Sequence, residues 1–210
     1  MNFTPIKTPA ALRRLFPDLV WTIPGSEKIL YLTFDDGPTP GITDWTLDVL
    51  KEYNAKATFF CVGEQVKSHP ELYKRILNEN HRIGNHSYNH LKGWKTSSSV
   101  YLENVKKASE YINSSLFRPP YGQITPNQIE IISNAGYKIV MWSILSVDWD
   151  QKISKEKCAD NVIEKASTGD IVVFHDSVKA HKNMSFALPA ILEKFSNDGF
   201  EFKRIPELIR

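Results

Sequence analysis

Two adjacent carboxylates, Asp35 and Asp36, end the apolar run Ile29 to Phe34 and are followed at once by Gly37 and Pro38. The pair repels itself, and neither group leaves water cheaply beside an apolar strand, so something positive has to meet it. Asp-Gly-Pro is also ordinary turn chemistry, and on its own the motif fits a capped turn as well as a site. The other chemistry-bearing residues of the chain decide between the two.

His86 and His90 are spaced i, i+4, which on one face of a helical turn lets both rings reach a single ion. Two neutral imidazoles and one carboxylate suit zinc or a similar divalent cation and leave positions open for water and substrate; the same set also fits non-haem iron. If Asp36 is the carboxylate ligand, Asp35 is left without ligand duty, placed to take a proton from water at the ion. In Phe117-Arg118-Pro119-Pro120-Tyr121-Gly122 two prolines stiffen a loop and hold an arginine at its mouth, and Asp35 is its natural partner. His175 emerges from the apolar run Ile171 to Phe174 as a candidate general acid. Asp148 could hold its ring and raise its pKa, with Trp149 and Val173 forming a small apolar pocket. His69 and His81 read as surface or helix-end residues and His181 as part of a polar loop; none of the three is given a role.

Short apolar runs alternate with stretches of helical period along the whole chain, as in a parallel β/α architecture. Strands are expected at Ile29 to Phe34, Ala57 to Val62, Arg82 to Gly84, Leu116 to Arg118, Lys138 to Trp142, Asp170 to His175 and Phe200 to Arg204. Helices are expected at Thr43 to Tyr53, Pro70 to Glu79, Val100 to Asn113, Thr125 to Ala135, Lys155 to Lys165 and Phe186 to Asn197. This predicts an α/β fold, a distorted barrel of about seven parallel strands, in which every candidate residue falls at a strand end or in the loop after it. Residues 1–28, with Pro5, Pro9, Pro17 and Pro24, read as an N-terminal arm packed on the barrel, and residues 29–210 as the catalytic domain.

The chain has 210 residues, 41% of them hydrophobic, which is enough for one substantial core. Its 26 basic and 24 acidic residues are interspersed, a net charge of +2 without the basic stripe that nucleic-acid binding requires. No stretch has membrane-spanning length and the N-terminus lacks a charged-then-apolar leader, so a cytoplasmic, membrane-free monomer is expected. Cys61 and Cys158 form no disulfide framework or metal-ligand spacing.

Taken in order, Thr33-Phe34-Asp35-Asp36-Gly37-Pro38, His86-Ser87-x-x-His90, Arg118-Pro119-Pro120-Tyr121, Asp148-Trp149 and Val173-x-His175 resemble the five motifs of the polysaccharide deacetylases, also called carbohydrate esterase family 4 or the NodB-homology family. The resemblance implies a distorted (β/α) barrel and metal-dependent removal of acetyl groups from N-acetylated sugars of the chitooligosaccharide or peptidoglycan type. It makes Asp35 the catalytic base with Arg118 as its partner, Asp36, His86 and His90 the ligands of a divalent ion, zinc or alternatively cobalt, and His175 the acid tuned by Asp148. From the resemblance alone comes an oxyanion-binding backbone N–H on Tyr121, and the assignment of Trp149 and Val173 to the acetyl methyl. Two positions depart from the family pattern: Leu145 stands where an aspartate is often found, and Val173 where leucine is usual. The competing readings are an amidohydrolase on the same scaffold acting on a small non-sugar amide, a non-catalytic carbohydrate-binding homologue, and an iron oxygenase using the same ligands.

Overall fold

The alternating pattern folds into eight strands and eight α-helices, seen in a computed structural model that describes residues 5 to 207. Residues 1–4 of the expected arm and 208–210 at the end of the expected catalytic domain lie outside the described residues. In chain order the elements are α1 (Ala10–Leu15), β1 (Ile29–Asp35), α2 (Ile42–Glu52), β2 (Thr58–Cys61), α3 (Gly63–Ser68), α4 (Pro70–Asn78), β3 (Arg82–Asn85), α5 (Ser98–Ala108), β4 (Leu116–Phe117), α6 (Pro126–Asn134), β5 (Lys138–Ile139), β6 (Ile144–Leu145), α7 (Lys155–Ile163), β7 (Ile171–His175), α8 (Val178–Asn197) and β8 (Glu201–Phe202).

All the named strands pair in parallel, in the order β5-β4-β3-β2-β1-β7-β6, with β8 added beside the first residues of β1. This is the curled, distorted barrel of an α/β protein. β5 and β6 do not pair with each other among the described residues. The N-terminal segment runs there instead: Val20 bonds to the backbone of Ile139 and Met141 on one side, while Ile6 and Thr8 bond to Leu145 and Ser143 on the other.

β1 shows how the strand period builds the site. Leu30, Leu32 and Phe34 are fully buried against the helices in one cluster with Leu47, Leu50, Leu188 and Ile191. Each such side chain contributes about 2 kcal/mol by leaving water. Successive strand residues point to opposite faces, so Tyr31, Thr33 and Asp35 face the barrel interior. There Tyr31 meets Phe60, Val140 and Ile171, and Asp35 lies in register between Phe60 of β2 and His175 of β7.

Several elements depart from the sequence reading, and α3 is a helix that it did not expect. β6 is too short to show a period. The strand expected over Lys138 to Trp142 keeps its sheet pairing only to Ile139, because the following backbone pairs with Val20. α8 begins at Val178 rather than Phe186, since Lys179, His181, Lys182 and Asn183 hide a buried face formed by Ala180, Met184 and Ala187.

Candidate active site

Asp35 and Asp36 are adjacent in the chain but face different partners. Arg118 is not at a loop mouth, as its prolines suggested; it is fully buried in the barrel. Its guanidinium donates to Asp35 Oδ1 at 2.7 Å, to Thr33 Oγ1 at 2.6 Å and to the carbonyls of Val140 and Met141 at 3.2 and 2.9 Å. A fully buried cation is tolerable only when paired and hydrogen-bonded in this way. Asp35 Oδ2 has no hydrogen bond among the described residues, and Asp35 lines the cleft. Asp36, by contrast, takes a left-handed backbone conformation (φ 82°) that turns its side chain away from Arg118 and toward the histidines.

The spacing of His86 and His90 suggested a helical turn, and the structure corrects this. Both lie in the loop after β3, where Ser87 (φ 64°) and His90 (φ 59°) are left-handed, yet the rings still converge, with centroids 5.0 Å apart. Asn85 sets this loop by accepting the Ser87 N–H at 2.8 Å and donating to Val105 O and Ser109 Oγ. Nothing in the local sequence marks Asn85 as the anchor, because the acceptors of its side-chain N–H groups are 20 and 24 residues away.

The ligand atoms of Asp36, His86 and His90 all lie within 4.8 Å of one another, and Asp36 Oδ1 is buried without a hydrogen-bond partner while His90 Nε2 and His86 Nε2 stand 3.1 and 3.7 Å away. The Arg118 carbonyl oxygen accepts from His86 Nδ1 at 2.8 Å, which fixes the proton on Nδ1 and leaves the Nε2 lone pair facing Asp36. Burial lowers the His86 pKa to about 4, keeping the ring neutral. Burial works against the Asp36 charge, but the neighbouring His90, His175 and His86 outweigh it and hold the carboxyl well below its usual range. An orphaned carboxylate oxygen between two imidazoles, one with its lone pair fixed from behind, fits a divalent cation.

Across the cleft, His175 Nδ1 donates to Asp148 Oδ1 at 2.8 Å, and Asp148 Oδ2 accepts the His175 N–H at 2.7 Å. Burial alone would lower the imidazole pKa, but the Asp148 charge and hydrogen bond raise it to about 9. Asp148 is in turn held by its loop: Val147 before it is left-handed (φ 62°), an uncommon state for a β-branched residue, and Asn183 donates to the carbonyls of Asp148 and Asp150. The Trp149 and His175 rings meet edge to face at 4.9 Å.

These groups line one cleft of about 650 Å³ together with Tyr121, Gly122, Trp142, Leu145, Val173, Ser177, Val178 and Lys179. Val173 clusters with Leu145 and Val147, and Trp149 packs against that cluster, as an apolar wall beside His175. Leu145 thus occupies space in that wall, and Arg118 draws its partners besides Asp35 from the Thr33 hydroxyl and two backbone carbonyls. Tyr121 is left-handed (φ 59°); its N–H has no protein acceptor among the described residues, and its exposed ring lies 4.5 Å from the His90 ring.

Sequence reasoning passed over Asp176, which is fully buried below the Asp35-Asp36 turn, accepts the Gly37 N–H at 3.1 Å and the Thr43 hydroxyl at 2.5 Å, and is pushed up to about pKa 8 by burial. His81 is not at the surface as expected: it is buried, its Nδ1 accepts from Ala57 N, and burial lowers its pKa to about 4. His181 belongs to the start of α8, edge-on to Trp45, rather than to a loop. His69 stands at the N-terminus of α4. Cys61 and Cys158 are buried free thiols.

The polysaccharide deacetylase family model matches residues 22–140, more than half of the chain. This chain belongs to the polysaccharide deacetylase family. A peptidoglycan-N-acetylglucosamine deacetylase of Bacillus cereus is 36% identical over 199 residues, covering 91% of this chain and 93% of its own length. A peptidoglycan-N-acetylmuramic acid deacetylase of Bacillus subtilis is 31% identical over 193 residues, covering 89% of this chain, which spans 40% of that longer protein. The crystal structure of a peptidoglycan N-acetylglucosamine deacetylase in complex with 4-naphthalen-1-yl-N-oxidanyl-benzamide superposes with a TM-score of 0.86 at 33% identity, covering 95% of both chains. The polysaccharide deacetylase described here is accordingly a hydrolase of carbon–nitrogen bonds other than peptide bonds. Among the described residues no helix is long and apolar enough to cross a membrane.

Proposed function

We propose that the protein hydrolyses the N-acetyl groups of peptidoglycan amino sugars, with Asp35 as base and His175 as acid. The observation that carries this reading is the division of labour between neighbours: Arg118 holds Asp35, whereas both imidazoles face Asp36. Asp36, His86 and His90 would hold a divalent cation, zinc in the first instance and cobalt as an alternative, which when bound polarises the acetyl carbonyl and lowers the pKa of an attacking water.

The remaining steps fall to the chain's own groups. Asp35 Oδ1 is occupied by Arg118, so Oδ2 is the oxygen that accepts the proton of the attacking water. The unpartnered Tyr121 N–H is available to the developing oxyanion, a contribution of about 3 to 4 kcal/mol for one such donor. Trp149, Val173 and Leu145 form the apolar wall for the acetyl methyl. His175, carrying a proton at neutral pH and oriented by Asp148, gives it to the departing sugar nitrogen.

Peptidoglycan lies outside the cytoplasm, so the cytoplasmic expectation would confine the protein to fragments or precursors; fractionation of cells settles which applies. The activity itself is tested by acetate release from peptidoglycan fragments and N-acetylglucosamine oligomers against a panel of small linear and cyclic amides. Release confined to the small amides would replace this reading by the amidohydrolase one.

A further inference from the structure

The two histidines of the site are held in different ways. His86 has the Arg118 carbonyl behind its ring, and its backbone N–H donates to Cys61 O at 2.9 Å. His90 has neither support: among the described residues no hydrogen bond reaches its Nδ1 or its backbone N–H, and its ring meets Asp36, His86 and the exposed Tyr121. A metal-binding imidazole without a hydrogen bond at its second nitrogen depends on its backbone for its place. That backbone is left-handed (φ 59°), a conformation that a residue other than glycine keeps where its surroundings impose it.

Those surroundings are α3 and α5. The Ser87 and Tyr88 carbonyls accept from the first N–H groups of α3, those of Gly63 and Glu64, at 3.0 and 2.9 Å. The Tyr88 N–H donates to Asn104 Oδ1 at 2.9 Å, and Asn104 Nδ2 donates to Asn89 Oδ1 at 2.9 Å, so Asn104 holds the two residues immediately before His90. Asn104 stands inside α5, where asparagine is a poorer helix former than alanine, and the helix itself gives no reason for it. The carbonyl of the next residue, Val105, accepts from Asn85, so two consecutive residues of α5 hold both halves of the histidine loop.

We infer that Asn104 is a positioning residue for the metal centre: by fixing Tyr88 and Asn89 it sets the backbone from which His90 faces Asp36. This rests on the reading of Asp36, His86 and His90 as the ligands of a divalent cation. The fold does not depend on Asn104, because the Tyr88 side chain belongs to the main hydrophobic cluster and keeps the loop seated without it. What its removal frees is the last step of the loop into His90. A ligand that has to be ordered as the ion binds lowers affinity, so the effect falls on how tightly the ion is held and not on substrate, which Asn104 does not line.

The test reads zinc affinity by competition with a chromophoric chelator, beside urea unfolding and amide hydrogen exchange at Tyr88 in the metal-free protein. Asn104→Ala suits α5 and is expected to unfold at the same urea concentration or higher, while the Tyr88 N–H exchanges faster and zinc is held about tenfold more weakly. Asn104→Asp keeps an acceptor for the Tyr88 N–H and is expected to hold zinc within about threefold of the unaltered protein. Glu103→Ala, at the exposed neighbouring position of α5, is expected to change neither zinc affinity nor Tyr88 exchange. At saturating zinc, kcat and KM of Asn104→Ala are expected to return close to those of the unaltered protein. Undiminished zinc affinity in Asn104→Ala overturns the positioning role, as does a loss that Asn104→Asp or Glu103→Ala shares in full, and either result leaves the cation reading intact. Failure of the unaltered protein to bind zinc or cobalt overturns the cation reading itself.

Discussion

Asp176 lies beneath Gly37 and leaves it no room for a side chain: a Cβ there would stand 2.0 Å from Asp176 Oδ2, while Oδ1 accepts the Gly37 N–H at 3.1 Å. The Asp176 N–H also donates to the Asp35 carbonyl, so the turn that presents Asp35 and Asp36 is tied to the end of β7. Asp176→Ala removes the tie, and zinc affinity is expected to fall by about tenfold or more, as for loss of a group that orients a metal ligand. Asp176→Asn keeps an acceptor for Gly37, and since burial already raises the carboxyl to about pKa 8, it is expected to stay within a few-fold of the unaltered protein. Gly37→Ala is expected to cost about 3 kcal/mol in stability through the clash. Competitive zinc titration and urea unfolding measure these effects; full zinc affinity in Asp176→Ala would sink the positioning role.

The separation of base from ligand makes a second pair of expectations. Asp35→Asn removes the proposed base but none of the proposed metal donors, so metal content is expected to stay at one equivalent while turnover falls by about a hundredfold or more. His86→Ala removes a donor whose ring is already oriented by Arg118 O, so metal and turnover are lost together. A chelator is expected to abolish acetate release from the unaltered protein and zinc or cobalt to restore it. Metal analysis beside acetate assays distinguishes these cases, and a fully active Asp35→Asn protein would refute the assignment.

The contact between Asp148 and His175 has a pH signature. The folded protein raises the imidazole pKa from 6.5 to about 9, so its stabilising contribution is full below the unfolded value and is lost as pH rises through the folded one. At about 1.4 kcal/mol per unit this amounts to about 3 kcal/mol. In the metal-free protein, Asp148→Asn is therefore expected to be most destabilising near pH 6 and to lose that part of its effect near pH 10. In the loaded enzyme the alkaline limb of the rate profile, where the acid loses its proton, is expected to move to lower pH. Urea unfolding at the two pH values and a kcat profile check this; an Asp148→Asn penalty that does not change with pH would show that the contact does not set the charge of His175.

Much of this site is legible in the sequence because chemistry and local structure coincide there. Asp35 and His175 end apolar strands, and the period-2 alternation of β1 alone puts Asp35 on the same face as Thr33. What the sequence hides are relations between distant segments. The His86–His90 spacing looked helical, but the loop is shaped by left-handed Ser87 and His90 and by Asn85 reaching α5. The prolines after Arg118 suggested an exposed loop, whereas β4 carries the arginine into the interior and Val140, Met141 and Thr33 surround it. Asp176 gives no local signal at all, since Gly37 and Thr43, its two partners, lie more than 130 residues earlier.

Leu145 offers the last expectation, because the family resemblance of the sequence leads one to expect an aspartate at its position. Such an aspartate would need a donor, and Arg118 already spends its guanidinium on Asp35, Thr33 and the carbonyls of Val140 and Met141. Leu145 is buried, and its side chain belongs to the apolar wall formed with Val173 and Trp149. Leu145→Asp thus sets a charge in that wall without a free partner, and is expected to destabilise the protein by about 2 to 4 kcal/mol. The cleft also loses part of the surface proposed for the acetyl methyl, so KM is expected to rise without a gain in kcat. Thermal unfolding and acetate-release kinetics give the answer, and a Leu145→Asp enzyme that is both as stable and faster would mean that Arg118 re-pairs and that the wall is dispensable.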